Sequence, residues 1–204
     1  MDFNLNEDQI AFADSAKALF ADFCAPEQQA AYEATDAGYM QNLWQQCVDN
    51  GLTAIILPEA AGGLEQGMTE LMAVLVEQGR ALAQVPLAQQ QLAASAIAQF
   101  ANAATQAATE GKMLTLGVDA VSLKLAGDKA TGVAGAVPFA DSADAALLLA
   151  QDGAQTRVVL VDLHAAGVSR VAGRNQAQTG VAQIKLDGAT VQVLDAGAWG
   201  WLQP

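Results

Sequence analysis

The strongest constraint on this chain is a change of hydrophobic rhythm at Gly111. Before it, apolar residues recur at steps of three and four; after it, they fall into short runs separated by Gly and Asp. The first rhythm belongs to helices packed through one face, the second to strands between turns. Helices followed by strands build separate layers or domains. The expectation is therefore an α+β chain, with an N-terminal α-helical domain over residues 1–111 and a small antiparallel β-barrel or sandwich domain over residues 112–204.

In the helical half, Asn6 ahead of Glu7, Asp8 and Gln9 reads as a helix start, because a short polar side chain caps free amides and acids suit the positive end. Ile10, Ala13, Ala16, Leu19, Phe20 and Phe23 form the apolar face of that helix, which ends near Pro26. A second helix is predicted from Pro26 to Ala34. A third runs from Tyr39 to Asn50, with Leu43, Trp44, Cys47 and Val48 on its stripe and Asn50-Gly51 as its stop. Pro58 to Gly63 is too rich in Pro and Gly to stay helical and reads as a loop. The next helix, from Thr69, carries Leu71, Met72, Val74, Leu75 and Leu82. Its near-continuous apolarity predicts burial on most sides. Two more helices are predicted at Leu87–Phe100 and Ala103–Glu110.

Past Gly111, strands are predicted at Met113–Val118, Val121–Leu125, Ala145–Leu149, Val158–Leu163 and Val181–Leu186. Composition narrows the partners. The 22 acidic against 9 basic residues give a formal charge of −13. Nucleic acid and anionic lipid both require the opposite sign, so neither is an expected partner. The longest apolar runs fall far short of the ~20 residues that span a bilayer. The opening residues lack a positive n-region and an apolar h-region, and a cytoplasmic location is the expectation.

The residues offer little overt chemistry. Cys24 and Cys47 lie in apolar helical context without CxxC spacing, as buried thiols do. His164 is the sole histidine, has no nucleophile or metal-ligand spacing around it, and reads as a strand-end or loop residue. Gly132-Val133-Ala134-Gly135 lacks both phosphate-loop patterns, so its glycines are expected to serve a bulge or close strand packing. Glu59 with Asp36 or Glu65 forms no pair that spacing requires, and solvated loop acids are the simpler reading. No catalytic residue and no metal site is assigned from the residues themselves.

Several segments nevertheless resemble, in order, the acyl-CoA dehydrogenase family. They are the opening Met1 to Gln9, Leu43-Trp44 followed by Gly51-Leu52, Leu57-Pro58-Glu59-Ala60-Ala61-Gly62-Gly63-Leu64, and Glu77-Gln78-Gly79-Arg80-Ala81-Leu82-Ala83-Gln84-Val85-Pro86. The last is similar to bacterial members that include enzymes of sterol degradation. In the β half, Gly132 to Pro138 and Ala143-Asp144-Ala145-Ala146-Leu147 resemble the family's central strands, and Asp162 followed by Gly167-Val168 resembles its next strand and turn. The resemblance covers essentially the whole chain. It implies FAD held against the β domain and an acyl-CoA between that domain and the helices, with α and β hydrogens removed as a proton and a hydride.

By that resemblance, the cofactor-binding positions are Leu116, Gly117 and Val118 on the first strand and Ala136, Val137 and Pro138 on the central one. Both depart from the family. Leu116-Gly117-Val118-Asp119 lacks the hydroxyl that flavin-binding members place there, and Ala136 stands where an aromatic residue is common. The family's base, usually a glutamate, lies in a third, helical domain after the β domain, and no glutamate of this chain is promoted to the role. The leading expectation is thus the N-terminal and middle portion of an FAD-dependent acyl-CoA dehydrogenase, inactive alone. The alternative is a non-catalytic partner subunit of a heteromeric one. Same-family or self chains are the expected protein partners, since a helical face covered by further helices in the family would be left exposed and apolar.

Overall fold

The computed structural model describes residues 4–118, 121 and 123–203. The chain divides into two compact units, Met1–Gln91 and Leu92–Pro204. The change from helix to strand comes later, between residues 109 and 114, because the later turns of one helix belong to the core of the strand-bearing unit.

In the first unit, α1 (Glu7–Phe23) begins with Asn6 accepting the Gln9 amide while the Gln9 side chain accepts the Asn6 amide, a reciprocal cap. Gln9 also donates to Glu70 at the start of α4 (Met68–Arg80) at 3.0 Å. That bond, followed by backbone donors, holds the half-exposed Glu70 carboxyl below its ordinary value. α2 (Pro26–Glu33) opens on a proline, whose missing N–H costs nothing there, and α3 (Gln41–Asp49) ends at Asn50. Phe20, Leu43, Cys47, Ile55, Leu71 and Val74 fill the core.

Two sequence expectations change in this unit. Ile10 sits on the apolar stripe of α1 but is exposed, because that face leaves the core before the first turn. α4 is not buried on most sides. Leu71, Ala73, Val74 and Glu77 turn inward, whereas Met68, Met72 and Val76 face solvent, since the helix has one packed face and its opposite face happens also to be apolar.

The loop between α3 and α4 is folded back on itself by backbone bonds from Leu64 to Ala54, Glu65 to Leu57 and Gln66 to Ile55. A 3₁₀ turn at Glu59–Ala61 makes the reversal. Gly63 is obligatory there, because a Cβ would lie 2.1 Å from the Leu57 carbonyl oxygen. Gln91, fully buried, pins this loop: its Nε2 donates to Leu52 O at 2.9 Å, and the Ile56 amide donates to its Oε1 at 3.0 Å. Beyond α4, the Gln78 side chain donates to Ala83 O and Val85 O, and Gln29 donates to Ala81 O, which fixes the approach to α5 (Leu87–Phe100).

In the second unit, Ala93, Ala96 and Ile97 of α5 join a core with Leu114, Leu147, Leu149 and Leu194. α6 (Ala103–Thr109) follows, with Gln106 donating back to Ala98 O and Ala101 O. The strands are β1 (Leu114–Gly117), β2 (Leu123–Ala126), β3 (Lys129–Pro138), β4 (Ala145–Asp152), β5 (Gln155–Asp162), β6 (Val168–Arg174), β7 (Gly180–Thr190) and β8 (Gln192–Val193). They form one sheet in the order β6-β7-β3-β2-β4-β5-β8, with β1 also on β4. The α+β class holds, and most pairings are antiparallel, but β1 and β2 both run parallel to β4, end to end along the same edge. The sheet remains open rather than closing as a barrel. Its ends are β6 and the two-residue β8, too short to close a ladder. α7 (Gly197–Leu202) follows, with Trp201 packed on Phe100 at a centroid separation of 6.0 Å.

Candidate functional site

Two strands carry the positions singled out for a cofactor. Leu116 and Gly117 end β1, Val118 follows, and Asp119 lies outside the described residues. Ala136, Val137 and Pro138 end β3. The structure brings the two segments together. Gly117 packs so closely that a Cβ would meet Val137 at 2.7 Å and Leu148 at 2.9 Å. The buried Thr115 hydroxyl donates to the Pro138 carbonyl. This contact was not anticipated, although a lone hydroxyl in an apolar strand signals it, since buried polar groups find partners.

β3 is irregular where it matters. Its register against β7 slips between Ala134 and Val137, so Gly135 and Ala136 bulge out of the ladder. Ala136 takes a left-handed φ of 53°, uncommon for a residue with a side chain. Both residues are exposed. At a second slip, between Ala130 and Gly132, the surplus residue is on β7, so the bulge falls at Asp187 and Gly188 (φ 62°), and of the glycines expected to serve a bulge it is Gly135 that lies in one. After Pro138 the chain turns through residues 139–143, and Arg170 of β6 holds the turn. Its Nη1 lies 3.1 Å from Ala140 O and 3.2 Å from both Asp141 O and Ala143 O. No spacing rule could have found a partner about thirty residues away.

Asp144 secures the other end of β1. Its Oδ2 accepts the Met113 amide at 2.9 Å, and its Oδ1 is 3.5 Å from His164 Nε2. His164 stands in the turn after β5, its amide donating to Asp162, while Lys112 pairs with Asp162 at 3.6 Å. Pairs this exposed contribute little. Glu59, Asp36 and Glu65 are all exposed. Burial pushes the Cys24 thiol up to about 11. It pushes Cys47 up to about 12, with the neighbouring Cys24 adding to the effect. Neither is a nucleophile at neutral pH. Among the described residues no cluster of three or more His, Cys, Asp or Glu could hold a metal ion.

The chemistry these strand ends offer is limited. Leu116, Gly117, Val118, Ala136 and Pro138 offer apolar side chains and main-chain groups, Val137 is buried against Gly117, Pro138 has no N–H, and the nearby Thr115 hydroxyl is committed to the fold. Such a surface suits the flat face of an aromatic ring. It does not suit the polar edge of an isoalloxazine, which needs directed donors, so these residues by themselves do not meet a flavin's requirements.

Residues 6–115 match the family described as acyl-CoA dehydrogenase, N-terminal domain. The chain belongs to the acyl-CoA dehydrogenase family. Acyl-CoA dehydrogenase FadE27 of Mycobacterium tuberculosis is 31% identical over 209 residues, covering 94% of this chain and 55% of that protein. Acyl-CoA dehydrogenase IpdE2 of the same organism is 32% identical over 105 residues, covering 51% of this chain and 33% of that one. Among solved structures, the ChsE4-ChsE5 complex from Mycobacterium tuberculosis superposes with a TM-score of 0.87 at 27% identity, over 99% of this chain and 61% of that one. A variant of the Tcur3481-Tcur3483 steroid ACAD also gives 0.87, at 26% identity, over 96% of this chain and 59% of that one. The chain thus spans about half the length of the mycobacterial FadE27 it matches. No helix among the described residues is long and apolar enough to cross a membrane.

Proposed function

We propose that this acyl-CoA dehydrogenase chain serves α,β-dehydrogenation of an acyl-CoA thioester as an N-terminal helical and middle β portion, residues 1–111 and 112–204, that is inactive by itself. The end of α6 at Thr109 and the start of β1 at Leu114 support that division. Within that reading, the strand ends at Leu116–Val118 and Ala136–Pro138 form an apolar wall beside which a flavin would be held. The hydride acceptor of the family is a flavin, and because these residues lack its polar contacts, this chain would supply no more than an apolar face beside the ring, with the polar contacts coming from elsewhere. The base that takes the α-proton is not assigned to any residue of this chain.

One observation favours the second reading, a non-catalytic partner subunit in a two-chain dehydrogenase. The candidate wall has no free side-chain donor, and its one buried hydroxyl, on Thr115, is spent on Pro138 O. The two similar structures at a TM-score of 0.87 are both named as pairs of chains, ChsE4-ChsE5 and Tcur3481-Tcur3483. The word steroid in one of those names supports a bulky-ring acyl-CoA as the substrate class. The cytoplasm suits two cysteines that are free thiols.

Titration with FAD, then with a medium-chain and a ring-bearing acyl-CoA, followed by flavin absorbance and calorimetry, tests the reading. The isolated chain is expected to bind FAD weakly or not at all and to show no turnover. A tagged chain in native extract is expected to bring down a flavin-bearing chain of the same family. Oxidation of an acyl-CoA by the isolated chain would refute both forms of the proposal.

A further inference from the structure

The sequence contains a single Asn-Gly pair, Asn50-Gly51, and it stands exposed at the end of α3. Such a pair carries its own chemistry. The main-chain nitrogen that follows an asparagine is a nucleophile within reach of the side-chain amide, and glycine, without a Cβ, leaves that nitrogen unhindered and its backbone free to turn.

The fold holds both reacting groups. Gly51 is left-handed, with φ 72°; its N–H donates to Val48 O at 3.0 Å, and the Leu52 N–H donates to Cys47 O at 2.9 Å. These two bonds close α3 in a glycine cap that satisfies its last carbonyls. The group that would depart is held as well. Asn50 Nδ2 donates to Gln46 O at 2.8 Å, beside the Asn50 N–H, which donates to the same oxygen at 3.0 Å. A ψ of 8° at Asn50 turns the Gly51 nitrogen away from the Asn50 side chain. Bond formation between Gly51 N and Asn50 Cγ therefore needs the cap to open. The restraint reaches further along the chain: Leu52 is buried, and its carbonyl accepts from Gln91 Nε2 at 2.9 Å, so the bond that pins the loop after α3 also steadies the cap.

We propose that Asn50-Gly51 is a self-modification site gated by the cap of α3. When the cap opens, Gly51 N loses its proton and bonds to Asn50 Cγ; the Cγ–Nδ2 bond breaks and Nδ2 leaves as ammonia. Water then opens the cyclic imide at either carbonyl. Attack at the former side-chain carbonyl gives aspartate on the original main chain, and attack at the main-chain carbonyl gives isoaspartate, with the main chain routed through Cβ. Neither product restores the cap. A carboxylate has no N–H for Gln46 O, and it adds a second charge beside Asp49 at the negative end of α3. Isoaspartate also lengthens the main chain by a carbon, which takes the Gly51 and Leu52 amides out of register with Val48 O and Cys47 O. The change is one-way and loosens the start of the loop held by Gln91. It is independent of the dehydrogenase reading, since the unit Met1–Gln91 contains none of the candidate cofactor positions.

Peptide mapping by mass spectrometry of the full chain, incubated at mildly alkaline pH with aspartate and isoaspartate forms resolved by chromatography, decides it. The peptide holding Asn50 should gain the mass of amide-to-acid conversion in both forms. The rate should be at least about tenfold lower in the folded chain than in guanidinium chloride, because the open fraction scales it. Gln91→Leu, checked for folding by circular dichroism, should raise the folded-state rate by about threefold or more. Should that variant not fold, the same test is made on the unsubstituted chain in sub-denaturing guanidinium chloride, where conversion and amide exchange of Gly51 and Leu52 should rise together. Asn50→Asp should lower the melting temperature by about 2–8 °C. Equal rates in the folded and unfolded chain, or conversion confined to other asparagines, overturns the gated site. An unchanged melting temperature in Asn50→Asp overturns the claim that the product disables the cap.

Discussion

Replacing Gln91 by leucine removes a buried side chain that ties the loop after α3 to α5. Gln91 is fully buried and makes two bonds, to Leu52 O at 2.9 Å and from the Ile56 amide at 3.0 Å. Leucine has nearly the same volume, so the cavity contribution is small and the loss is that of two backbone groups left without partners. Each such group costs about 1–3 kcal/mol, and the added apolar burial returns about 1–2 kcal/mol. From the middle of each range the net expectation is about 2–3 kcal/mol. For a unit the size of Met1–Gln91, each kcal/mol lowers the melting temperature by ~4–8 °C, so its transition should fall by about 10–20 °C. Calorimetry reads the shift, and amide exchange should show residues 52–57 opening first. Gln91→Glu, which keeps the acceptor for Ile56 but presents no donor to Leu52 when ionised, should restore no more than part of the loss at neutral pH. A fall of less than about 3 °C with unchanged exchange over residues 52–57 would show that the loop is held by its own backbone bonds and that Gln91 is incidental.

Three further outcomes are expected. Gly63→Ala should cost about 4 kcal/mol or more, because the new Cβ would sit 2.1 Å from Leu57 O. Gly62→Ala, left-handed but facing open space, should cost only about 1–2 kcal/mol, and paired melts of the two variants check the contrast. Arg170→Met should leave Ala140, Asp141 and Ala143 carbonyls without their shared donor, costing about 1.5–3 kcal/mol. Accelerated exchange at residues 139–143, with β4 and β5 unchanged, would locate the effect. The thiols predict an alkaline limit. Folded values of about 11 for Cys24 and about 12 for Cys47 lie above the unfolded thiol value of about 8.5. Their contribution to stability is therefore whole below that value and is lost as pH rises towards 11 to 12. Cys47→Ala should flatten this alkaline decline, and denaturant titrations from pH 8 to 11 measure it.

Where an element carries its own punctuation, the sequence places it well. Asn6 and Gln9 mark the start of α1 because the capping groups are local, and Pro26 and Asn50 mark ends for the same reason. What escaped depends on distant partners. α7 is written Gly197-Ala198-Trp199-Gly200-Trp201-Leu202, with two residues that disfavour helix, and its formation follows from burial of Ala198 and the packing of Trp201 on Phe100. β6 reads Val168-Ser169-Arg170-Val171-Ala172-Gly173-Arg174 and gives no clean alternation, because as an edge strand it is half solvated on both faces. The parallel pairing of β1 and β2 with β4 is equally invisible, since alternation records which face a side chain takes and not the direction of the neighbouring strand.

The candidate site follows the same division between local and distant. The residue types at Leu116–Val118 and Ala136–Pro138 are legible one by one, and so is the absence of a hydroxyl among them. Their adjacency is not, because it depends on β1 and β3 meeting through Gly117 against Val137 and through Thr115 against Pro138 O. The bulge at Gly135 and Ala136 is also a property of two strands at once: β3 spends more residues than β7 between Ala134 and Val137, so the surplus is pushed out. That surplus is what exposes main-chain groups beside an otherwise apolar wall. A strand that had kept register would have turned those groups into the ladder and left nothing polar at the surface. The weak hydroxyl signal in the sequence and the bulge in the structure are therefore two parts of one arrangement. Side-chain donors are missing from the wall, main-chain groups come to its surface, and a ring laid there would need its remaining donors from a second source.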